Sequence, residues 1–246
     1  MMKEQLLRAG YIALKDLRAY YLKPPLISWA ILFPGALILA FYLRNPEDIR
    51  QVIPGLVGVT LLFGATSMEA IVVAFEKRIG ALERLALAPV TPAAIVLGKA
   101  ASGVAFGLLT AFLVMGASVL ALGLPLSSPF LALPTLVLAA IAFSLLGTFV
   151  SVAVREVFEA MTLANYFRFP MIFLCGVFSP LSAMPRALRL VAYGLPLTYA
   201  VDGLRFHLLA GEDAIMPLVG DWIALAIFAL LLYLGAWRLL ARRLEE

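Results

Sequence analysis

Long apolar runs recur along the chain, separated by short charged or proline-marked breaks. Six runs, residues 26–43, 52–75, 100–122, 130–154, 161–178 and 218–240, are long enough to cross a hydrocarbon core at about 1.5 Å per helical residue. The remaining segments carry a different pattern. In residues 1–23, Leu7, Tyr11, Leu14, Leu17 and Tyr21 recur at helical spacing while Lys3, Arg8, Lys15 and Arg18 fall elsewhere on the wheel. That predicts an amphipathic helix flat on the inner membrane surface, stopped by Lys23-Pro24-Pro25. The segment has charges throughout and no continuous apolar stretch, so it does not read as a cleavable signal peptide.

Between the second and third runs, FEKRIGALERLALAPVTPAAIVLGK (75–99) places Phe75, Ile79, Leu82 and Ala86 on one face. Glu76, Lys77, Arg78, Glu83 and Arg84 supply polarity, and Pro89 and Pro92 end the helix. Such a helix can dock in a partner's groove or lie on the surface without one. After the fifth run the chain changes again. The apolar stretch ends at Ser179-Pro180, and Pro185 opens a short piece with Leu188, Val191, Ala192 and Leu195 on one face and Arg186 and Arg189 on the other. Pro196 starts a third, charge-bearing piece. These pieces are too short to span, and they predict a re-entrant cap over a cavity at 179–215.

Composition fits a polytopic membrane protein, with 63% hydrophobic residues and a mean hydropathy of +1.02. Orientation follows from Lys and Arg near the span ends. Lys3, Arg8, Lys15, Arg18, Lys23, Lys77, Arg78, Arg84, Lys99, Arg155, Arg238, Arg242 and Arg243 collect on one face, against Arg44, Arg50, Arg186, Arg189 and Arg205 on the other. Both termini are therefore expected in the cytoplasm, in a plasma (cell inner) membrane. The pI of about 9.3 reflects this asymmetry, which attracts anionic lipid, and not a nucleic-acid surface.

Little catalytic chemistry is present. Gly98-Lys99 hints at a phosphate loop, but Ala93 and Ala100 stand where Gly and Ser or Thr are needed, so no ATP site is expected in this chain. His207 is the sole histidine, which excludes a metal site built on a His pair. Cys175 is the sole cysteine, which excludes an intrachain disulfide. Gly103, Gly107 and Ala111 form a small-residue ridge suited to close helix packing, and Pro34, Pro134 and Pro170 within spans permit kinks. Two charges, Glu69 and Arg168, lie inside spans two and five, where ionisable groups face protein or water. They are expected to pair with each other or to line one inward-facing aqueous cavity; snorkelling of Arg168 beside a boundary Glu69 is the alternative.

In its order of elements the chain is similar throughout its length to the membrane subunit of type-2 ABC exporters. KPPLISWAILFPGALILAFYL resembles their first span, EKRIGALERLALAPVTPAAIVLGK their coupling region, and FLCGVFSPLSAMPRALRLVAYGLPLTYAVDGLR their late signature. The resemblance implies an all-α polytopic fold of six transmembrane helices. An N-terminal interfacial helix, a cytoplasmic coupling helix (75–92) and extracytoplasmic re-entrant helices before the last span complete it. It also implies a homodimeric or heterodimeric permease working with a separate ATPase that carries ATP and Mg. Glu76, Arg78, Gly80, Leu82, Glu83 and Arg84 would seat on that ATPase, and Gly176, Pro180, Pro185, Pro196 and Arg205 match the late signature. Spans two and five flank the pathway in this family, which makes Phe63, Glu69, Asn165, Arg168, Phe169 and Phe173 candidate pathway residues. Arg168 is not a general family feature. The implied function is export of a drug, lipid or other amphipathic cargo by alternating access. The competing readings are an intramembrane enzyme acting on lipid through Glu69 and Arg168, and a channel or carrier not driven by ATP.

Overall fold

A computed structural model of the chain describes residues 2–44, 49–122, 132–209 and 215–245, with side chains described except at 2, 24–27, 29–31, 33–34, 44, 83, 86, 119, 121–122 and 244–245. These residues are helical throughout, with no strand among them. The elements are α1 (Met2–Asp16), α2 (Pro24–Arg44), α3 (Ile49–Ser67), α4 (Glu69–Arg78), α5 (Ala81–Ala86), α6 (Pro92–Leu122), α7 (Leu133–Ala153), α8 (Val157–Leu174), α9 (Arg186–Tyr193), α10 (Pro196–Leu208) and α11 (Leu218–Glu245). Four helical stretches among the described residues are long and apolar enough to cross a membrane: Ile49–Arg78, Pro92–Ser118, Ala132–Ala153 and Leu218–Arg243. The 21-residue α2 and the 18-residue α8 occupy the positions expected for spans one and five.

The centre of the bundle is α3 with α7. The α3 helix lies against α6, α7 and α10, and α7 also packs on α4 and α11. Small residues make this possible, because association inside a membrane depends on close van der Waals contact more than on exclusion of water. A Cβ on Gly107 would sit 2.9 Å from the Ala65 Cβ, and one on Gly103 would sit 2.7 Å from the Ala65 carbonyl oxygen. The small-residue ridge of α6 is thus internal packing against α3. The outer face of α11 (Ile223, Ile227, Leu230, Leu231) is more than half exposed, as a lipid-facing helix requires. At its far end Arg243 donates to the carbonyls of Val154 (2.7 Å) and Ala153 (3.0 Å), capping α7.

Three local expectations are corrected. Pro134 does not interrupt a span: it sits in the first turn of α7, where its missing N–H has no intrahelical partner to lose. Pro54 and Pro170 are the prolines inside α3 and α8. The coupling segment is not one helix, because Gly80 takes a left-handed φ of 68° and divides α4 from α5. The N-terminal helix buries a face other than the expected one. Leu7 and Tyr11 are exposed, whereas Ala9, Ile12, Ala13 and Asp16 are buried, and α1 packs on α6. Gly98 allows that approach, since a Cβ there would meet the Ala9 carbonyl oxygen at 2.7 Å and the Ile12 Cβ at 2.9 Å.

At the opposite end of the bundle, the short helices α9 and α10 are tied by side chains bonding terminal carbonyls. Arg189 donates to Leu181 O (3.1 Å), Ser182 O (2.7 Å) and Met184 O (3.1 Å). Arg205, itself buried, donates to Gly176 O (2.7 Å), and Gly176 turns the chain with φ +77°. Asp202 accepts from the backbone N–H of Ile215 (2.9 Å) and Met216 (3.2 Å). Of the residues expected on one apolar face, Ala192 is fully buried while Leu188 and Val191 are open. Residues 210–214 of the expected cap lie outside the described residues.

Candidate functional site

The most concentrated polar chemistry lies where α1, α4 and α6 converge, directly before the 79–91 segment. Asp16 ends α1, Glu76 stands one turn before the end of α4, and Lys99 lies in the third turn of α6. All three are almost wholly buried. Lys99 Nζ lies 3.0 Å from Asp16 Oδ2 and 2.7 Å from Glu76 Oε2, while Lys15 Nζ lies 2.8 Å from Asp16 Oδ1 and also bonds Glu76 Oε1. Two cations and two carboxylates thus close a neutral ring. The Lys99–Asp16 and Lys15–Glu76 contacts are hydrogen bonds, and the other two are ion pairs by distance. Lys15 is half exposed; burial alone would lower its pKa, but hydrogen bonds and attraction from Asp16 and Glu76 raise it, so it stays charged throughout the physiological range.

A second cluster adjoins the first. After α1 the chain makes a π-helical turn, Leu17–Tyr21, in which Leu22 N–H donates five residues back to Leu17 O (2.9 Å). The turn carries Tyr21 into the core, where its hydroxyl donates to Glu69 Oε1 (2.8 Å), which also accepts from Ser102 Oγ (2.7 Å). Glu69 opens α4 at the break after Ser67. The two clusters therefore fasten α1, α4 and α6 to one another at two depths. A buried charge stays ionised at tolerable cost only with such partners, and removal of any one leaves the rest uncompensated. Both clusters tie helices together, and no three His, Cys, Asp or Glu side chains among the described residues group as metal ligands.

The expected pair of intramembrane charges does not form. Glu69 faces Tyr21 and Ser102, while Arg168 turns to α3: its Nε donates to Thr66 Oγ1 (2.7 Å), its Nη1 to Asn165 Oδ1 (3.3 Å), and its guanidinium lies 5.2 Å from the Phe63 ring centroid. Phe63, Asn165 and Arg168 are thereby brought together, with Glu69 apart. Phe169 and Phe173 are more than half exposed on α8. Of the expected ATPase-facing residues, Glu76 belongs to the buried ring and Leu82 is in the core, so neither is available for docking; Arg78 and Arg84 are exposed and Gly80 forms the break. The Glu83 side chain lies outside the described residues. Leu87, at 88% exposure, is the most open large apolar side chain of that segment. Gly176 and Arg205 are bonded to each other, Pro196 starts α10, and Pro180 and Pro185 precede the 3-10 turn and α9.

Sequence reasoning missed Asp16, Lys15, Tyr21, Lys99 and Ser102. The available signal was Lys99, which lies well inside the apolar run that begins at Pro92.

The chain is similar to known transport permeases. Over 194 residues the chain is 29% identical to the inner membrane transport permease YadH of Escherichia coli (strain K12), which covers 79% of this chain and 75% of YadH. Over 209 residues it is 29% identical to the E. coli K12 protein described as "Probable multidrug ABC transporter permease YbhS", covering 83% of this chain and 55% of YbhS. Residues 10–209, from within α1 to the end of α10, match the family model described as ABC-2 type transporter. The chain belongs to the ABC-2 type transporter family, as a membrane transport permease subunit.

Proposed function

We propose that this chain is the membrane-spanning half of an ATP-driven exporter that moves a drug, lipid or other amphipathic cargo out of the cytoplasm. It has six spans with both termini cytoplasmic, pairs with a second permease protomer in a lipid membrane, and takes its energy from a separate ATPase holding ATP and Mg. The observation that carries this reading is the buried Lys15–Asp16–Lys99–Glu76 ring. Glu76 lies two residues before the exposed Arg78, in the same helix, and the exposed Arg84 and Leu87 follow beyond the Gly80 break. A push on the 78–87 surface therefore displaces α1, α4 and α6 together. Closure of the ATPase subunits supplies that push, and alternating access follows when the two resulting states bind cargo with different affinity.

The docking surface is Arg78, Ile79, Arg84 and Leu87, all exposed, and not Leu82, which is packed inside. Co-expression with a P-loop ATPase encoded beside this chain should yield a stable complex whose ATP hydrolysis responds to cargo in nanodiscs. Arg84→Glu combined with Leu87→Asp should weaken that complex at least tenfold, about 1.4 kcal/mol, without altering the melting temperature of the isolated permease. An unchanged complex with unchanged ATP hydrolysis would remove the 78–87 surface from the mechanism.

A further inference from the structure

Arg168 is a buried charge inside α8 that the joined α1–α4–α6 end does not use. It lies on α8, about 16 Å along the helix axis from Val157 at 1.5 Å per residue. Its side chain is 6% exposed. Its Nε and Nη1 reach neutral oxygens, Thr66 Oγ1 and Asn165 Oδ1, and the Phe63 ring lies against it. Nη2 is buried with no hydrogen-bond partner. No carboxylate among the described residues forms an ion pair with it; Glu69, close by in sequence to Thr66, is committed to Tyr21 and Ser102. A planar fork of donors, still charged and unmatched inside a membrane protein, is an unfavourable arrangement unless something negative meets it. Guanidinium geometry is suited to two parallel bonds to phosphate or carboxylate oxygens.

The surroundings supply the other half of a recognition site. Asn165 is half-buried, so the bonded edge of the guanidinium reaches toward the surface of α8. One to two turns further along the same helix, Phe169 and Phe173 are 53% and 65% exposed. Phe173 lies 6.3 Å from Phe178, which stacks at 5.5 Å on Phe41 of α2. A fixed cation therefore stands at one end of an aromatic strip, with the apolar part leading toward the α9 end of the bundle.

We propose that Arg168, held by Thr66 and Asn165 over Phe63, binds the anionic group of an amphiphile whose apolar chain lies along Phe169 and Phe173. This names the cargo class of the transport reading above and rests on it: an anionic amphiphile carrying phosphate or carboxylate at its head. Neutral and cationic amphiphiles of equal chain length are discriminated against, because they leave the fork unmatched.

The test reads binding alone, on the full chain purified in a neutral maltoside detergent, with no ATPase present. Failure here therefore leaves the coupling assignment standing, and failure of ATPase coupling leaves this site standing. Dodecyl phosphate should raise the melting temperature saturably, whereas dodecyltrimethylammonium and inorganic phosphate should not. Arg168→Met should abolish the shift. Arg168→Lys, which keeps the charge and loses the fork, should need about tenfold more dodecyl phosphate, and Arg186→Gln, on exposed α9, should respond as wild type. A wild-type response in Arg168→Met, or in Arg168→Lys should the Met variant not fold, would overturn the proposal. So would an equal shift from dodecyltrimethylammonium, which would mean that the chain alone is bound, or from inorganic phosphate, which would mean a plain anion site.

Discussion

Exchanging Lys99 for methionine should destabilise the folded permease by on the order of 3–5 kcal/mol, the cost of breaking a buried ion pair by removing one partner. Lys99 is fully buried and serves two buried carboxylates at 3.0 and 2.7 Å. Without it, Asp16 and Glu76 must share Lys15, which is half in solvent. Lys15→Met should have a far smaller effect, because an exposed partner is screened and its loss can be made good by water. Changing Lys99 and Glu76 to Met together should recover part of the single loss, since a neutral apolar pair leaves one fewer uncompensated carboxylate. Unfolding in mixed micelles measures all three. Equal, small losses from Lys99→Met and Lys15→Met would mean that the ring is wet and does not hold α1, α4 and α6 together.

Gly55→Ala should be among the most damaging of the single methyl groups added at the described glycines. Gly55 lies in the first turns of α3, and a Cβ there would fall 2.7 Å from Val177 Cα and 2.8 Å from Val177 C, with the carbonyl oxygen closer still. These are backbone atoms of the turn that Gly176 and Arg205 fix, so no rotamer change relieves the contact. Overpacking of this kind costs about 1–3 kcal/mol. Gly116→Ala, where nothing lies within 4 Å, should leave stability unchanged. A melting temperature for Gly55→Ala equal to that of Gly116→Ala would show that α3 does not pack on the 175–178 turn. Because that contact joins the α3–α4 stretch to the α9–α10 end, Gly55→Ala should also depress transport more than its stability loss alone explains.

Much of the fold was legible because it depends on continuous apolar length, and the runs at 52–75, 100–122, 130–154 and 218–240 each overlap a helix long and apolar enough to cross a membrane. Boundaries were less legible. Placing the start of span three at Ala100 made Lys99 a loop charge, whereas α6 begins at Pro92 and carries Lys99 in its third turn. A span beginning at its own proline would have marked Lys99 as an intramembrane cation in need of a partner, and Asp16 and Glu76 as the candidates. Gly80 was equally readable as a helix stop, but the apolar face drawn through Ile79 and Leu82 ran across it. In α1 the pattern supports two apolar stripes. Leu7, Tyr11 and Leu14 form the more hydrophobic one, but the chain packs Ala9, Ile12 and Ala13 on α6 because small residues allow approach to Gly98. Which stripe wins is decided by a surface that the segment itself does not encode. The pairing expected between Glu69 and Arg168 failed for a related reason: sequence position gives no direction to a side chain, and the direction each takes depends on the Tyr21 turn and on Thr66.

Photo-crosslinking in intact cells tests most directly the proposed seating of the exposed end of the joined α1–α4–α6 unit on a cytosolic ATPase. With a benzophenone amino acid at Leu87, 88% exposed, ultraviolet light should link the permease to a protein carrying a P-loop, identified by mass spectrometry. The same group at Leu190 on α9, 77% exposed, should give no such product. An ATPase crosslink from position 190 and none from 87 would contradict both the orientation and the coupling surface.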